Sequence, residues 1–204
     1  MNYIEFKEGY KVYYQEYLNE YSDDDILKIV YKNLDIYKLS SKKDKLVAGV
    51  QTPIIIKCPE LNNIITFADE LCLNVLKRDD KKILGKVTGN WIYIKKPNDK
   101  YMLGANDGFH THATSPFMIP NQLTWTYYLQ MPNNCEGTDG SLRIKIEDEI
   151  FYIPVKEKTF YIFDSNWLHA PDKAPHSNKD RIVIAGTISI VYDDGEIKRR
   201  NTII

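Results

Sequence analysis

Three cysteines in 204 residues (Cys58, Cys72 and Cys135) are too few and too scattered for a disulfide framework, and no two stand in a C-x-x-C spacing. No apolar run approaches the ~18 residues that a membrane span requires. Charge of one sign is not in excess: 27 Lys and Arg face 28 Asp and Glu, for a formal net charge of -1. That balance offers no electrostatic footprint for nucleic acid or an anionic membrane. The short basic run Lys198-Arg199-Arg200 reads as a solvated tail. The opening residues Met1 to Glu8 lack the basic-then-apolar pattern of a signal peptide, so a cytoplasmic protein is expected. There is no P-loop, no GxGxxG and no Ser-His-Asp arrangement. Histidine is scarce as well, with four in the chain: His110, His112, His169 and His176.

Two of those four sit one residue apart in Phe109-His110-Thr111-His112, after the glycine-containing turn Gly104-Ala105-Asn106-Asp107-Gly108. In an extended strand, side chains i and i+2 point to the same face. His110 and His112 then project together, close enough to share one metal ion. Neutral imidazole is the commonest nitrogen ligand for iron, zinc, copper and nickel. A pair of surface histidines on a loop is the plainer alternative.

The rest of the chain supplies a frame. Tyr10, Tyr13, Tyr14 and Tyr17 recur at helical spacing and predict an amphipathic helix over 8–20. Ser22 precedes Asp23-Asp24-Asp25 and an apolar periodic run, which predicts a capped helix over 23–34. Residues 36–47 read as a polar loop and 46–58 as extended chain. Pro59 opens a helix predicted over 60–78. From about residue 84 the texture changes to short runs rich in Ile, Tyr, Val and Thr. Strands are predicted over 87–94, 123–131, 142–146, 150–153, 160–163 and 181–191. Trp91 and Trp125 read as core, and Phe109 and Trp167 as walls beside histidines. His176 falls in a polar loop and reads as exposed.

Short strands without intervening helices indicate a sandwich or barrel, and a jelly roll suits a central metal. The expected fold is mainly β with N-terminal helices (α+β), built as a double-stranded β-helix of cupin-like type. The expected organisation is a helical support region over 1–83 and a core over 84–204, within one structural domain. The helices brace the barrel or form a homodimer interface.

The strand Phe160-Tyr161-Ile162-Phe163 runs through Asp164-Ser165-Asn166-Trp167-Leu168 to His169. Lying far along the chain, such a strand end is expected to face the histidine pair across the barrel and supply a third ligand. After the polar loop 170–180 comes Arg181, at the start of the last strand. An arginine fork beside a metal suits a carboxylate, with two parallel charge-assisted hydrogen bonds. Arg143 also projects from a strand; it reads as a surface arginine, with a second carboxylate anchor as the alternative.

The elements His110-Thr111-His112, Phe163-x-Ser165-x-x-x-His169 and Arg181 together resemble the Fe(II)/2-oxoglutarate-dependent oxygenases. Tyr127-Tyr128-Leu129 with Pro132 and Gly140-Ser141-Leu142 resembles a stretch between the two halves of that motif set. The subgroup it resembles is the prolyl-4-hydroxylase-like oxygenases of bacteria and phages that carry H-x-H at the first motif, and the likeness covers about residues 88–192. The resemblance implies a double-stranded β-helix in which His110, His112 and His169 hold Fe(II) and Arg181 holds the far carboxylate of 2-oxoglutarate. It implies hydroxylation of a small-molecule or peptide substrate by O2, with succinate and CO2 released. Two positions depart from the family pattern. His112 stands where a carboxylate is usual, so Asp107 is an alternative ligand. Val183 stands where relatives often carry a serine, so a tyrosine hydroxyl on a facing strand is expected to replace it, with Tyr128 the candidate over Tyr127. A three-His cupin-like metalloenzyme that does not use 2-oxoglutarate, and a non-enzymatic jelly-roll binding module, are the other readings of the same residues.

Overall fold

The computed structural model describes residues 1–41, 50–77, 82–97, 108–113 and 122–193. The chain opens with a hairpin, β1 (Asn2–Lys7) and β2 (Tyr10–Glu16), where the tyrosine spacing predicts a helix. Gly9, at φ +79, lies in the two-residue turn between them, a backbone conformation that glycine adopts without strain. The tyrosine stripe divides by parity as a strand must: Tyr10 and Tyr14 pack in one apolar cluster, Tyr13 and Tyr17 in the other. Tyrosine and valine favour strand surfaces. Pairing then decides the matter, because β2 completes an edge of the main sheet with Tyr13 opposite Ile162 and Tyr14 opposite Tyr161.

Helix α1 (Asp23–Ser41) starts where the cap signal places it and runs further than 34. The Asp25 amide donates to Ser22 Oγ at 3.2 Å, and Ser22 Oγ donates back to Asp25 Oδ2 at 2.7 Å. Its buried Asn33 anchors the chain that follows. Asn33 Nδ2 donates to Thr52 Oγ1 and to the Pro53 carbonyl, both at 3.0 Å. Its Oδ1 accepts from the amides of Ile55 and Ile56 at 2.7 and 3.0 Å. Strand β3 (Val50–Pro53) is thereby fixed at the sheet edge, residues 54–58 of the expected extended stretch make no strand, and residues 46–49 of it lie outside the described residues. Helix α2 (Pro59–Leu76) begins at the expected proline and buries Leu61, Ile64, Ala68, Leu71 and Cys72 on one face.

The remaining strands are β4 (Ile83–Lys95), β5 (Leu123–Gln130), β6 (Leu142–Ile146), β7 (Glu149–Ile153), β8 (Thr159–Asp164), β9 (Leu168–Pro171) and β10 (Arg181–Tyr192). They form a seven-stranded sheet in the order β1-β2-β8-β5-β10-β4-β3 and a three-stranded sheet in the order β7-β6-β9. A bridge between His110 and His169 adds residues around 110 beside β9 in the smaller sheet. Consecutive segments therefore pass back and forth between the two sheets, with β8-β5-β10-β4 facing β7-β6-β9 and the His110 segment. That is a jelly roll, the double-stranded β-helix. The first 83 residues add the β1–β2 hairpin to one edge of its large sheet and β3 to the other.

Parity along the large sheet assigns each residue a layer. Ile92 and Ile94, Trp125 and Tyr127, Phe160 and Ile162, Ile182 and Ile184 pack with α1 and α2. Trp91 and Tyr93, Tyr128, Tyr161 and Phe163, Val183 and Ala185 face the small sheet. The helices thus back a sheet whose other face is free to build a cavity. No helix among the described residues is long and apolar enough to cross a membrane.

One position in this sheet admits no side chain. Gly186 lies opposite Asn90 on β4 and Trp125 on β5. A Cβ there would stand 2.6 Å from the Gly89 carbonyl oxygen and 2.7 Å from Trp125 Cε2. Backbone cannot yield as a flexible side chain can. Gly186→Ala is expected to cost about 1–3 kcal/mol, the range for overpacking a core, read as a lower urea midpoint at unchanged m-value.

Candidate metal centre

The small sheet sets the histidines side by side, which corrects the expectation that His169 lies across the barrel. The His110 amide donates to the His169 carbonyl at 3.1 Å, and the His169 amide to the His110 carbonyl at 2.9 Å. This reciprocal exchange is a hydrogen-bonded antiparallel pair, whose two side chains share a face. His112, two residues beyond His110, turns to the same side. Its own amide donates to the Ser165 carbonyl at 3.0 Å. Ser165 is held in turn, with its hydroxyl 2.9 Å from Thr124 Oγ1 and its amide donating to the Gln122 carbonyl at 3.1 Å.

One ring nitrogen from each of His110, His112 and His169 lies within 4.8 Å of the other two. The ring centroids are 4.5–5.0 Å apart. Small side-chain rotations bring such nitrogens to the ~2.0–2.1 Å at which imidazole binds a first-row metal. Burial pushes His112 down to about 4 and His169 down to about 3, with the His110 charge adding to both. Both imidazoles are therefore neutral at physiological pH, the form that ligates. Aromatic neighbours fix their planes: Trp91 lies 4.7 Å from His112, and Phe163 meets His169 edge-on at 4.8 Å.

The triad opens into a cavity of about 250 Å³ whose lining includes Arg181. Arg181 is 2% exposed. Its Nη2 donates to the Gly140 carbonyl. Its Nε and Nη1 have no hydrogen-bond partner among the described residues. Unsatisfied buried N–H groups on a cation are costly, and a carboxylate is an acceptor that would relieve that cost with a charge-assisted hydrogen bond. Tyr128 lines the cavity beside it, directly opposite Val183 in the β5–β10 ladder. Its hydroxyl pKa is raised by burial, against opposing pulls from Arg181 and Thr126. Tyr127 faces the helices instead.

Other expectations fall out differently. Trp91 is a cavity wall beside His112 rather than plain core; parity with Tyr93 on β4 is the signal that identifies it. Phe109 and Trp167 are not walls. Phe109 alternates away from His110 and covers the buried Arg143, whose guanidinium carbon is 4.8 Å from its ring centroid. Trp167 lies in the turn before β9 and packs on Phe6 and Tyr10 of the hairpin. Arg143 is 3% exposed, not on the surface, and pairs with Asp172 at 3.7 Å. His176 is exposed, as read. Asp107, the alternative ligand, lies outside the described residues.

No family model matches the chain, and no curated protein matches it in sequence. Solved structures do. A Pseudomonas putida prolyl-4-hydroxylase is 12% identical over 88% of this chain and 93% of its own, with a TM-score of 0.58. A viral collagen prolyl hydroxylase from Paramecium bursaria Chlorella virus-1, solved as a 2OG complex, is 15% identical over 88% and 96%, with a TM-score of 0.51. A Trichoplax adhaerens prolyl hydroxylase, solved with a hypoxia inducible factor oxygen degradation domain peptide, is 14% identical over 87% and 82%, with a TM-score of 0.56. The chain shares the jelly-roll fold of these prolyl hydroxylases.

Replacing His169 with alanine is expected to weaken Co(II) binding by more than the roughly 10–100-fold lost with an outer-shell partner of a metal ligand. Arg181→Ala is expected to leave Co(II) affinity unchanged. Calorimetric titration of both variants checks the separation.

Proposed function

We infer that the chain is an Fe(II)- and 2-oxoglutarate-dependent dioxygenase that hydroxylates a small-molecule or peptide substrate. The observation that carries this reading is Arg181. It brings two unpartnered buried N–H groups to the same cavity as three converging imidazoles. The residues present fit both groups: neutral nitrogen donors for the ion, and a buried guanidinium for a carboxylate. The shared fold, one relative of which was solved as a 2OG complex, agrees with it.

His110, His112 and His169 would hold the metal. Arg181 would take the far carboxylate of 2-oxoglutarate, and the Tyr128 hydroxyl would stand where Val183 offers none. When bound, Fe(II) and 2-oxoglutarate supply the O2 reduction that hydroxylates a C–H bond and releases succinate and CO2. The chain's own residues bind, orient and keep the site dry. Leu142, Val183 and Ala185 present apolar walls between the two ends of the cavity. Gln51, Trp91 and Tyr93 line it from β3 and β4. Excluding water strengthens every charge interaction inside such a site and protects a reactive intermediate.

Anaerobic addition of Fe(II) and 2-oxoglutarate is expected to give a visible metal-to-ligand charge-transfer band. With O2 admitted, succinate release is expected to require both additions. Arg181→Ala removes charge-assisted hydrogen bonds worth about 1.5–3 kcal/mol each, so 2-oxoglutarate affinity should fall by about two to four orders of magnitude. A protein that binds metal yet ignores both 2-oxoglutarate and Arg181→Ala would instead be a three-His metalloenzyme of another kind.

A further inference from the structure

We propose that Gly108 is a positioning residue for the metal centre, setting the tautomer and direction of His110 through its main-chain carbonyl. The proposal rests on the metal reading of the triad and deepens it. His110 Nδ1 lies 3.1 Å from the Gly108 carbonyl oxygen, and His169 Nδ1 lies 3.0 Å from that of Trp167. Each imidazole thus leans on the carbonyl two residues before it. A carbonyl oxygen can only accept, so the proton belongs on Nδ1 and the Nε2 lone pair is left for the ion. Such partners of a ligating histidine fix both its tautomer and its ring orientation.

The two carbonyls are held by different means. The turn carrying Trp167 is pinned by its amide donating to the Asp164 carbonyl at 3.2 Å, and by the Asn166 amide donating to Asp164 Oδ1 at 2.8 Å. Gly108 instead adopts φ +81, a conformation glycine takes freely and other L-residues rarely do. Immediately beyond it the chain cannot shift. His110 exchanges both backbone hydrogen bonds with His169, and the Phe109 ring covers Arg143. A side chain at 108 destabilises this region of the backbone map, and leaving it changes ψ as well as φ; ψ turns the 108–109 peptide, which carries the carbonyl. His110 would then be free to move its proton to Nε2, the atom that should ligate.

The test compares wild type, Gly108→Ala and Gly108→Asn, since asparagine tolerates positive φ better than alanine. In metal-free protein near neutral pH, long-range 1H–15N spectra should show His110 as the Nδ1–H tautomer in wild type and Gly108→Asn. They should show a mixture in Gly108→Ala. Co(II) affinity should fall about 10–100-fold in Gly108→Ala, with most of it recovered in Gly108→Asn. A wild-type His110 protonated on Nε2 would overturn the proposal whether or not any variant folds. So would a folded Gly108→Ala that keeps the Nδ1–H tautomer and binds Co(II) within about twofold of wild type. Wild-type protein that shows the Nδ1–H tautomer but binds no Co(II) would instead overturn the metal reading, and the proposed role with it.

Discussion

The reciprocal pair of backbone hydrogen bonds between His110 and His169 is the constraint on which the site depends. It joins two segments far apart in sequence at one register position of the small sheet. Register in a sheet is unforgiving, because a slip by one residue sends every side chain to the opposite face. A one-residue shift here would leave His110 opposite a neighbour of His169 and turn the imidazoles away from each other. With the register held, His112 follows by the two-residue repeat of an extended chain. The triad is therefore a consequence of one pairing and one periodicity.

The same parity organises the large sheet. Its even-numbered β10 residues Ile182, Ile184, Ile188 and Ile190 pack toward the helices, and its odd-numbered Val183 and Ala185 pack toward the small sheet. Arg181 is odd-numbered and stands at the strand's first position, so it enters the cavity layer where the apolar lining begins. The helices contribute by covering the other face, which lets β8 and β10 be largely apolar on both sides. That arrangement explains why the last strand reads as a nearly continuous apolar run while still carrying a charged group into the site.

Much of this is legible in the sequence, because from 84 onward short runs rich in Ile, Tyr, Val and Thr are separated by turn residues, and Arg181 opens the last of them. The position of His169 beside His110 is not, since sequence distance says nothing about which sheet a strand joins. The first hairpin is missed for a related reason. Four tyrosines at 10, 13, 14 and 17 satisfy a helical period locally, and a vacant edge on β8, invisible in the sequence, selects the strand. Arg143 looks like a surface residue because its strand neighbour Lys145 alternates with apolar residues as a solvent face would. Its burial comes from Phe109 and Asp172, brought by other segments. Asn33 carries no sequence signal at all, yet two of its hydrogen bonds hold β3 and two more the chain just after it.

The charge balance of the cavity favours an anion. Among the described residues lining it there is no Asp or Glu, and Arg181 brings the one full positive charge. A guanidinium buried without a counter-charge works against folding. The sequence nevertheless keeps it at 2% exposure with two N–H groups unspent. The triad adds nothing negative, since His112 is an imidazole where a carboxylate would neutralise part of a divalent ion. Metal and arginine together thus leave a strongly positive cavity, and a dianion reaching from one to the other offsets both ends at once. Each would then raise the affinity of the other by the same factor, as linkage requires. If the triad holds a divalent ion, an imidazole at 112 would shift the burden of charge compensation from the protein to the molecule it binds.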